Sequence, residues 1–143
     1  MLRYWTAGES HGKGILALVD GFPAGVELNL EIINRELLRR QGGFGRGGRQ
    51  RIEQDQAEIL SGWWRGVTIG SPIAIWVANR DYKIEKMDDL TRPRPGHGDL
   101  AGAVKYFSSI RGILERASAR ETVGRVAAGA LARQLLSACQ IDL

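Results

Sequence analysis

The spacing of apolar and polar side chains predicts two β-strands close to the start of the chain. Residues 2–6 and 14–19 are rich in β-forming side chains, and a glycine-framed loop that contains His11 lies between them. Glycine and proline then cluster at residues 20–25, which is typical of a turn. We therefore expect that the loop around His11 joins two strands of one hairpin.

An amphipathic helix is predicted over residues 30–41. Asn29 stands in front of it as a capping residue, and Ile33, Leu37 and Leu38 fall on one face of the helix. Two glycines follow and end the pattern.

A second and stronger helical pattern begins at Ser118. The spacing between Ser118 and Glu121 matches a capping box, in which each side chain accepts from a backbone N–H at the helix start. A stripe of apolar side chains continues the pattern and comprises Val123, Val126, Ala127, Ala130, Leu131 and Leu135. Gly124 and Gly129 each cost about 1 kcal/mol relative to alanine inside a helix, so we expect close packing against a neighbouring element at both positions.

Strands and loops are predicted between these two helices. Residues 52–61 and 67–77 have a β-like pattern, and the run at 73–77 is apolar enough for burial on both faces. A polar loop is predicted at residues 79–90, and a short helix is predicted to start at Asp99. This order of elements favours the α+β class, with helices layered on a sheet.

Length and composition are those of one globular domain that spans residues 1–143. Of the 143 residues, 43% are hydrophobic and 25% are charged, which is enough to form a buried core. The sequence contains no apolar run long enough to cross a membrane, and its first residues lack the apolar stretch of a signal peptide. A single cysteine, Cys139, rules out an internal disulfide and favours the reducing cytoplasm.

The positive charge of the chain is concentrated in one segment. The net charge is +4, but six arginines and one glutamate give residues 35–51 a charge of +5, so the rest of the chain carries −1. A local basic patch of this kind indicates an anionic partner at one site. The patch is made of arginine, which favours two-point contact with phosphate or carboxylate.

Both histidines lie in short loops that contain glycine or proline. His11 belongs to Gly8-Glu9-Ser10-His11-Gly12, and His97 belongs to Arg92-Pro93-Arg94-Pro95-Gly96-His97-Gly98-Asp99. Histidine exchanges a proton near neutral pH, and such loops hold a fixed backbone path that a ligand can approach closely. We therefore expect proton-transfer chemistry in a pocket that the two loops share.

Three other interpretations of the histidines stay open from the sequence. Either ring could have a structural role with a backbone carbonyl as its partner. A metal site formed by His11, His97 and Asp99 lacks supporting ligand spacing. A nucleophilic triad fragment of Glu9, Ser10 and His11 is disfavoured, because residues this close in sequence rarely present their side chains to one another.

A glycine and arginine loop follows the first predicted helix. Residues 41–49 contain five glycines and two arginines, Arg46 and Arg49, and could surround a phosphate with backbone N–H groups and guanidinium groups. A rival interpretation is an arginine-glycine element at residues 44–49 that binds single-stranded nucleic acid by stacking and charge. Such elements normally recur in disordered tracts, whereas this one is solitary.

An anion site is also predicted where the second helix starts. Arg116-Ala117-Ser118 would offer an anion free backbone N–H groups, the positive end of the helix dipole and a guanidinium. The alternative is an ordinary helix cap. Glu53, Asp55 and Glu58 could be acid-base groups, but solvation or pairing with the nearby arginines is the simpler expectation.

Six segments, taken in order along the chain, resemble chorismate synthase. They are Gly8-Glu9-Ser10-His11-Gly12; Arg39-Arg40-Gln41 with the loop that follows; residues 52–62; Gly70-Ser71-Pro72-Ile73; Thr91-Arg92-Pro93-Arg94-Pro95-Gly96-His97; and Leu114-Glu115-Arg116-Ala117-Ser118-Ala119-Arg120-Glu121-Thr122. The resemblance runs nearly end to end. It implies a β-α-β sandwich subunit, of which residues 1–143 would be the N-terminal part of a single domain.

The resemblance also implies an activity and its partners. Chorismate synthase is a homotetrameric lyase of the shikimate pathway that removes phosphate and a ring hydrogen, by anti-1,4-elimination, from 5-enolpyruvylshikimate 3-phosphate. The reaction requires reduced FMN although it has no net redox change, and NADPH is a possible source of the reduced flavin. The resemblance implies no metal, no nucleic-acid partner and no membrane partner, and it agrees with a cytoplasmic location.

Site residues are carried over by position. The resemblance implies that His11 protonates the departing phosphate and that His97 acts near the flavin ring. It implies cofactor contacts for Arg40, Arg46, Arg116, Ala117 and Ser118, and substrate contacts for Arg39, Arg49 and Ser10. Family chains continue well beyond Leu143, so we expect that this chain alone neither holds FMN tightly nor turns over.

Two functions of other classes remain as alternatives. A small nucleic-acid-binding domain built on the arginine-glycine loop would bind oligonucleotides with an affinity that falls steeply with salt. A non-catalytic module for binding a phosphate ligand or for assembly is the third possibility.

Overall fold

The computed structural model describes residues 1–42 and 52–143. Its strands are β1 Arg3–Gly8, β2 Gly14–Asp20, β3 Ala57–Ser61, β4 Trp63–Trp64, β5 Val67–Thr68 and β6 Ile73–Ala78. Its α-helices are α1 Leu30–Gln41, α2 Asp99–Tyr106, α3 Ile110–Ala117 and α4 Thr122–Ala138, and short 3₁₀ turns cover Ile84–Lys86 and Ala119–Glu121. The predicted α+β class is confirmed. No helix in this described part of the chain is both long and apolar enough to cross a bilayer.

Four strands form one antiparallel sheet in the order β1-β2-β6-β3. The first two strands make the predicted hairpin, in which Arg3 pairs with Asp20 and Gly8 pairs with Ile15. The loop around His11 therefore lies at the tip of this hairpin. β4 and β5 form a separate two-stranded sheet.

The two central strands of the main sheet, β2 and β6, bury one face. Alternate residues of these strands form this face: Ile15, Ala17, Val19, Ile73, Ile75 and Val77. α4 packs over β2 and β6, and α1 packs against α4 and β3. Burial of the run at 73–77 on both faces was a wrong prediction, because Ala74 and Trp76 on the opposite face are only partly buried. α1 and α4 thus form a helical layer on one face of the four-stranded sheet.

The predicted first helix agrees with α1 at both ends. Asn29 caps it, since its side-chain oxygen accepts a hydrogen bond from the backbone N–H of Glu31. Ile33 and Leu37 are fully buried, but Leu38 is 68% exposed. The prediction that Leu38 shares the face of Ile33 and Leu37 was wrong, because successive residues of a helix are rotated by about 100° and Leu38 therefore points away from the buried Leu37.

The second predicted helix begins later than expected. Ser118 precedes the 3₁₀ turn, where its hydroxyl accepts from the N–H of Arg120, and α4 itself starts at Thr122. The capping box does not close, because the Glu121 carboxylate accepts a hydrogen bond of 2.6 Å from the hydroxyl of Thr6 instead. The apolar stripe is confirmed, with Val126 and Leu135 partly buried and its other members buried.

The intermediate segments are shorter strands than the pattern predicted. Residues 52–56 carry no strand, and the run at 67–77 is divided by a turn at Gly70, whose φ is +80°. The short helix at Asp99 is confirmed as α2. α3 was not predicted.

The two glycines of α4 differ in their surroundings, and we expect opposite effects of alanine. At Gly129 a Cβ would meet nothing within 4 Å, so Gly129→Ala should raise the free energy of unfolding by up to about 1 kcal/mol through helix propensity. At Gly124 it would lie 2.9 Å from Thr6 Cγ2 and 3.2 Å from Ile15 Cγ2. The cost of overpacking, about 1–3 kcal/mol, should outweigh the propensity gain in Gly124→Ala.

Close packing was expected at both glycines; the distances confirm it at Gly124 and show that it is wrong at Gly129. Urea unfolding of the two variants and the parent chain measures both changes in stability. Equal stability of the two variants would contradict the packing argument.

Candidate functional site

The loop at the hairpin tip has a backbone path that other residues fix. Gly8 has a φ of +109°, and a Cβ there would lie 2.2 Å from the carbonyl oxygen of Gly14, so only glycine fits. The side-chain amide of Asn79 donates to three carbonyls of the loop, those of Glu9 at 3.1 Å, Ser10 at 3.1 Å and Gly12 at 2.8 Å. The loop is thus tied to the end of β6.

His11 is bound to a buried carboxylate. Its ring Nδ1 lies 2.9 Å from Oε2 and 3.1 Å from Oε1 of Glu115, and its backbone N–H donates to Oε2 at 2.8 Å. The backbone N–H of Ser10 donates to the carbonyl of Glu115 at 2.8 Å. The Glu115 side chain is fully buried, whereas that of His11 is 17% exposed. The Nδ1 side of the imidazole is therefore fixed, while part of the side chain remains exposed.

Asp81 lies on the other side of the ring. Its Oδ2 is 3.6 Å from His11 Nε2 and 3.0 Å from the ammonium of Lys83. The carbonyl of His11 accepts from the N–H groups of Lys83 and Ile84. The segment after β6 thus packs along the loop and places a carboxylate near the second ring nitrogen.

A set of buried charged and polar side chains holds the start of the segment after β6. Arg120 donates to Asp55 Oδ1, and its Nε donates to Asn79 Oδ1 at 2.7 Å. Arg40 donates to Asp55 Oδ2 at 2.7 Å, so that carboxylate bridges two guanidinium groups. Glu53 accepts from the backbone N–H of Arg80 at 2.9 Å. We call these residues, Arg40, Glu53, Asp55, Asn79 and Arg120, the buried polar network.

The expectation of solvation or pairing with the nearby arginines is confirmed for Glu58 and Asp55, whereas the buried Glu53 lies beside an arginine outside the basic segment. Asp55 pairs with Arg40 of the basic segment, and Glu53 lies 3.6 Å from Arg120. Glu58 is exposed. The Arg40 side chain is only 8% exposed and its Nε has no hydrogen-bond partner within the described residues, whereas Arg39 is exposed and pairs with Glu36.

His97 has different partners from His11. Its ring is exposed, and Nδ1 lies 3.1 Å from the carbonyl oxygen of Pro95. The loop is held by Asp99, which is fully buried and accepts from the backbone N–H, Nε and Nη2 of Arg94 at 3.0, 2.9 and 3.0 Å. Among the described residues, no hydrogen bond or ion pair joins the two histidine loops, so the shared pocket stays a prediction.

The Arg94 guanidinium beside Asp99 has an electrostatic consequence. Hydrogen bonds from the side chain and then the backbone N–H of Arg94 lower the pKa of Asp99 from 3.8 to about 2, although burial acts in the opposite direction. The same side-chain hydrogen bond raises the pKa of Arg94. The ion pair therefore persists in moderately acidic solution.

Asp99→Asn is expected to destabilise the chain in a pH-dependent way. Because the folded-state pKa lies below the unfolded value, the ionised carboxylate stabilises the fold above about pH 4, and that stabilisation fades as the pH falls toward 2. The loss in melting temperature caused by the substitution should thus be largest near neutral pH and shrink in acid. Thermal unfolding across this range measures it, with the exposed Asp88→Asn as the control. A loss that does not vary with pH would contradict the ion pair.

The residues of the predicted anion site lie at the end of α3 and the start of the 3₁₀ turn. Arg116 Nη2 donates to the carbonyl and hydroxyl of Thr6 at 2.8 and 2.9 Å. Its Nη1 is buried and has no hydrogen-bond partner among the residues that the structure describes. Ala117 ends α3 and is exposed, and Ser118 follows as the cap. Burial raises the pKa of Glu121, but hydrogen bonds from Thr6 and Arg125 outweigh this and lower it.

Three further predictions concern the arginine-glycine loop, a local triad around His11 and a metal site. Arg46, Arg49 and the other residues at 43–51 lie outside the described residues, whereas Gln41 ends α1 and Gly42 follows it. Ser10 is buried in the hairpin tip, and the ring of His11 bonds to Glu115 and not to Glu9 or Ser10, which is against a local triad. Within residues 1–42 and 52–143, no cluster of three metal-ligating side chains is present.

Three functional candidates were missed from the sequence: Glu115, Asn79 and Arg120. Glu115 and Arg120 fall in the segment 114–122 that carries part of the resemblance, which is the one signal that could have singled them out. Asn79 was assigned to a polar loop. Local pattern could not identify these residues, because Glu115 lies 104 positions from His11 along the chain.

Comparison with known proteins agrees with these features. The chorismate synthase family profile matches residues 2–143. Chorismate synthase of Moorella thermoacetica is 56% identical over 155 residues, and that of Lactococcus lactis subsp. lactis is 53% identical over 157 residues. These alignments cover 100% and 99% of this chain but 40% of each relative. The chain thus spans about 40% of the length of the curated relatives it matches.

A solved structure gives the same result. A crystal structure of a chorismate synthase superimposes with a TM-score of 0.75 at 46% sequence identity, over 99% of this chain and 36% of the other. The sequence comparison and the structure comparison therefore indicate the same family over nearly all of this chain. On these grounds, the chain belongs to the chorismate synthase family.

Proposed function

We propose that this chain supplies the proton donor and part of the anion-binding surface of a chorismate synthase. The reaction would be anti-1,4-elimination of phosphate and a ring hydrogen from 5-enolpyruvylshikimate 3-phosphate. The observation that carries the proposal is the arrangement of His11, whose ring Nδ1 is held by the buried Glu115 carboxylate while 17% of the side chain stays exposed. An imidazole held in this way is suited to deliver a proton to a departing phosphate.

The residues around Arg116 fit an anionic cofactor group. Arg116 has a buried Nη1 donor without a partner in the described part of the chain, and Ser118 lies two residues further on. Together with Ala117, they would contact FMN. When bound, reduced FMN supplies the reduced ring that the reaction requires without net redox change. His97 is exposed in a loop held by Asp99, and it would act near that ring.

The other assignments in this proposal are anion contacts. Arg40 and Arg46 would bind the cofactor, with NADPH as a possible reductant of the flavin, and Arg39, Arg49 and Ser10 would contact the substrate. Residues 1–143 would be the N-terminal part of one domain in a homotetrameric, cytoplasmic enzyme. The nucleic-acid alternative depends on the arginine-glycine loop, which lies outside the described residues, so no observed contact favours it.

The experiment compares this chain with a chimaera. In the chimaera, residues 1–143 replace the aligned part of the Moorella thermoacetica relative, which is 56% identical to them. Both proteins receive reduced FMN and 5-enolpyruvylshikimate 3-phosphate under anaerobic conditions, and chorismate formation is followed with the unmodified relative as the control. We expect turnover by the chimaera and the relative but not by the chain alone.

Two results would change the proposal. A folded chimaera without activity would contradict the assignment of function to these residues. Turnover by the chain alone would contradict the expectation that the other residues of the enzyme are needed.

His97→Ala in the chimaera should lower turnover by orders of magnitude while the fold is retained, and near-normal activity would remove His97 from the mechanism.

A further inference from the structure

Glu115 contacts the His11 loop through both its backbone and its side chain. Glu115 lies in the last turn of α3, where carbonyl groups have no partner within the helix. The N–H of Ser10 donates to this carbonyl at 2.8 Å, and the N–H of His11 donates to the carboxylate at 2.8 Å. The ring nitrogen Nδ1 completes the set. Glu115 therefore fixes the loop backbone and the imidazole together.

The chemistry of this contact selects one form of the neutral ring. An ionised carboxylate only accepts hydrogen bonds, so a ring nitrogen bound to it must carry the proton. Arg111 places a guanidinium nitrogen 3.6 Å from Glu115 Oε1, an arrangement that suits a carboxylate. His11 should thus have its proton on Nδ1 when the ring is neutral, which leaves Nε2 as the nitrogen that gains and loses a proton.

Asp81 faces the ring from the opposite side and could favour the other tautomer. Its carboxylate oxygen is 3.6 Å from Nε2, beyond hydrogen-bond distance, and the same oxygen accepts from Lys83 at 3.0 Å. Glu115 is closer to the ring by 0.7 Å, is fully buried and also binds the backbone of His11. The geometry therefore favours control by Glu115.

We propose that Glu115 is a positioning residue that holds His11 in the Nδ1–H tautomer and so makes Nε2 the proton-transfer atom. The catalytic consequence rests on the proposed function, whereas the tautomer does not. In that reaction, protonated His11 gives the Nε2 proton to a phosphate oxygen. The ring becomes the neutral Nδ1–H form, which is the form that Glu115 stabilises, and Glu115 itself neither gains nor loses a proton.

Nitrogen NMR of the ¹⁵N-histidine-labelled chain tests the tautomer directly. The chain has two histidines, so His97 serves as an internal reference. Under conditions in which the rings are neutral, His11 of the parent chain should show a protonated Nδ1 and an unprotonated Nε2. An Nε2–H tautomer in the parent chain would overturn the proposal whatever any variant does.

Two variants separate the roles of the carboxylates. Glu115→Gln keeps the shape of the side chain but adds an N–H₂ group, so His11 should lose its single tautomer while the signals of His97 stay unchanged. Asp81→Asn is the matched control and should leave the His11 tautomer as it is. Loss of the tautomer in Asp81→Asn but not in Glu115→Gln would assign the role to Asp81 instead.

Kinetics in the chimaera test the catalytic consequence. Glu115→Gln should lower kcat at least tenfold with little change in KM. Because Glu115 acts through His11, adding Glu115→Gln to His11→Ala should cost no further activity. Additive losses would contradict positioning. An inactive parent chimaera would count against the proposed function alone, since the tautomer is measured independently of turnover.

Discussion

His11→Ala in the chimaera should lower the rate of chorismate formation by about 10²–10⁴-fold, the usual contribution of a positioned general acid. The imidazole is held by Glu115 and is partly exposed, so its removal takes away the proton donor without emptying the apolar core. Steady-state kinetics should show the loss in kcat more than in KM. The melting temperature should also fall, because the buried Glu115 carboxylate loses its ring partner, so turnover is measured at a temperature at which the variant stays folded.

Added imidazole provides the control for this variant. A small base that enters the space left by the side chain should restore part of the activity of His11→Ala. The same addition should have no effect on the parent chimaera. Near-normal turnover of His11→Ala would contradict the assignment of His11 as the acid.

Arg120→Met should lower the free energy of unfolding by about 1.5–3 kcal/mol, because it removes a buried hydrogen bond between charged groups. Arg120 is 7% exposed and Asp55 is 6% exposed, and Asp55 keeps Arg40 as its other partner. The substitution also removes the hydrogen bond to Asn79. Urea unfolding of the chain measures the change.

Arg125→Met is the matched control for the buried pair. Arg125 forms an ion pair with Glu121 one helical turn earlier, and its side chain is 62% exposed. Exposed pairs of this spacing contribute about 0.3–0.5 kcal/mol, so this variant should lose little stability. Similar losses in both variants would mean that the buried polar network does not stabilise the fold.

Elements with strong local signals could be predicted from the sequence. α1 has a capping asparagine, an apolar face and a terminal glycine within about four turns, and its bounds were predicted correctly. The hairpin around His11 was predicted from two β-forming runs and their glycines. In both elements the deciding contacts are local.

The details that depend on distant contacts could not be predicted. The Glu121 carboxylate was expected to cap a helix, but Thr6 lies against it from a strand 115 positions away. In the same way, Arg120 meets Asp55 across 65 positions. The sequence pointed to His11 through its loop, yet its partner Glu115 becomes visible only when α3 is folded against the hairpin tip.

Asn79 links the hairpin tip to the buried polar network through the two ends of one amide. Its N–H₂ group donates to the loop carbonyls, and its oxygen accepts from Arg120. Deamidation to aspartate would keep the acceptor but convert the donor into a second carboxylate oxygen, which would repel those carbonyls. Deamidation of this one side chain would therefore release the His11 loop from the end of β6.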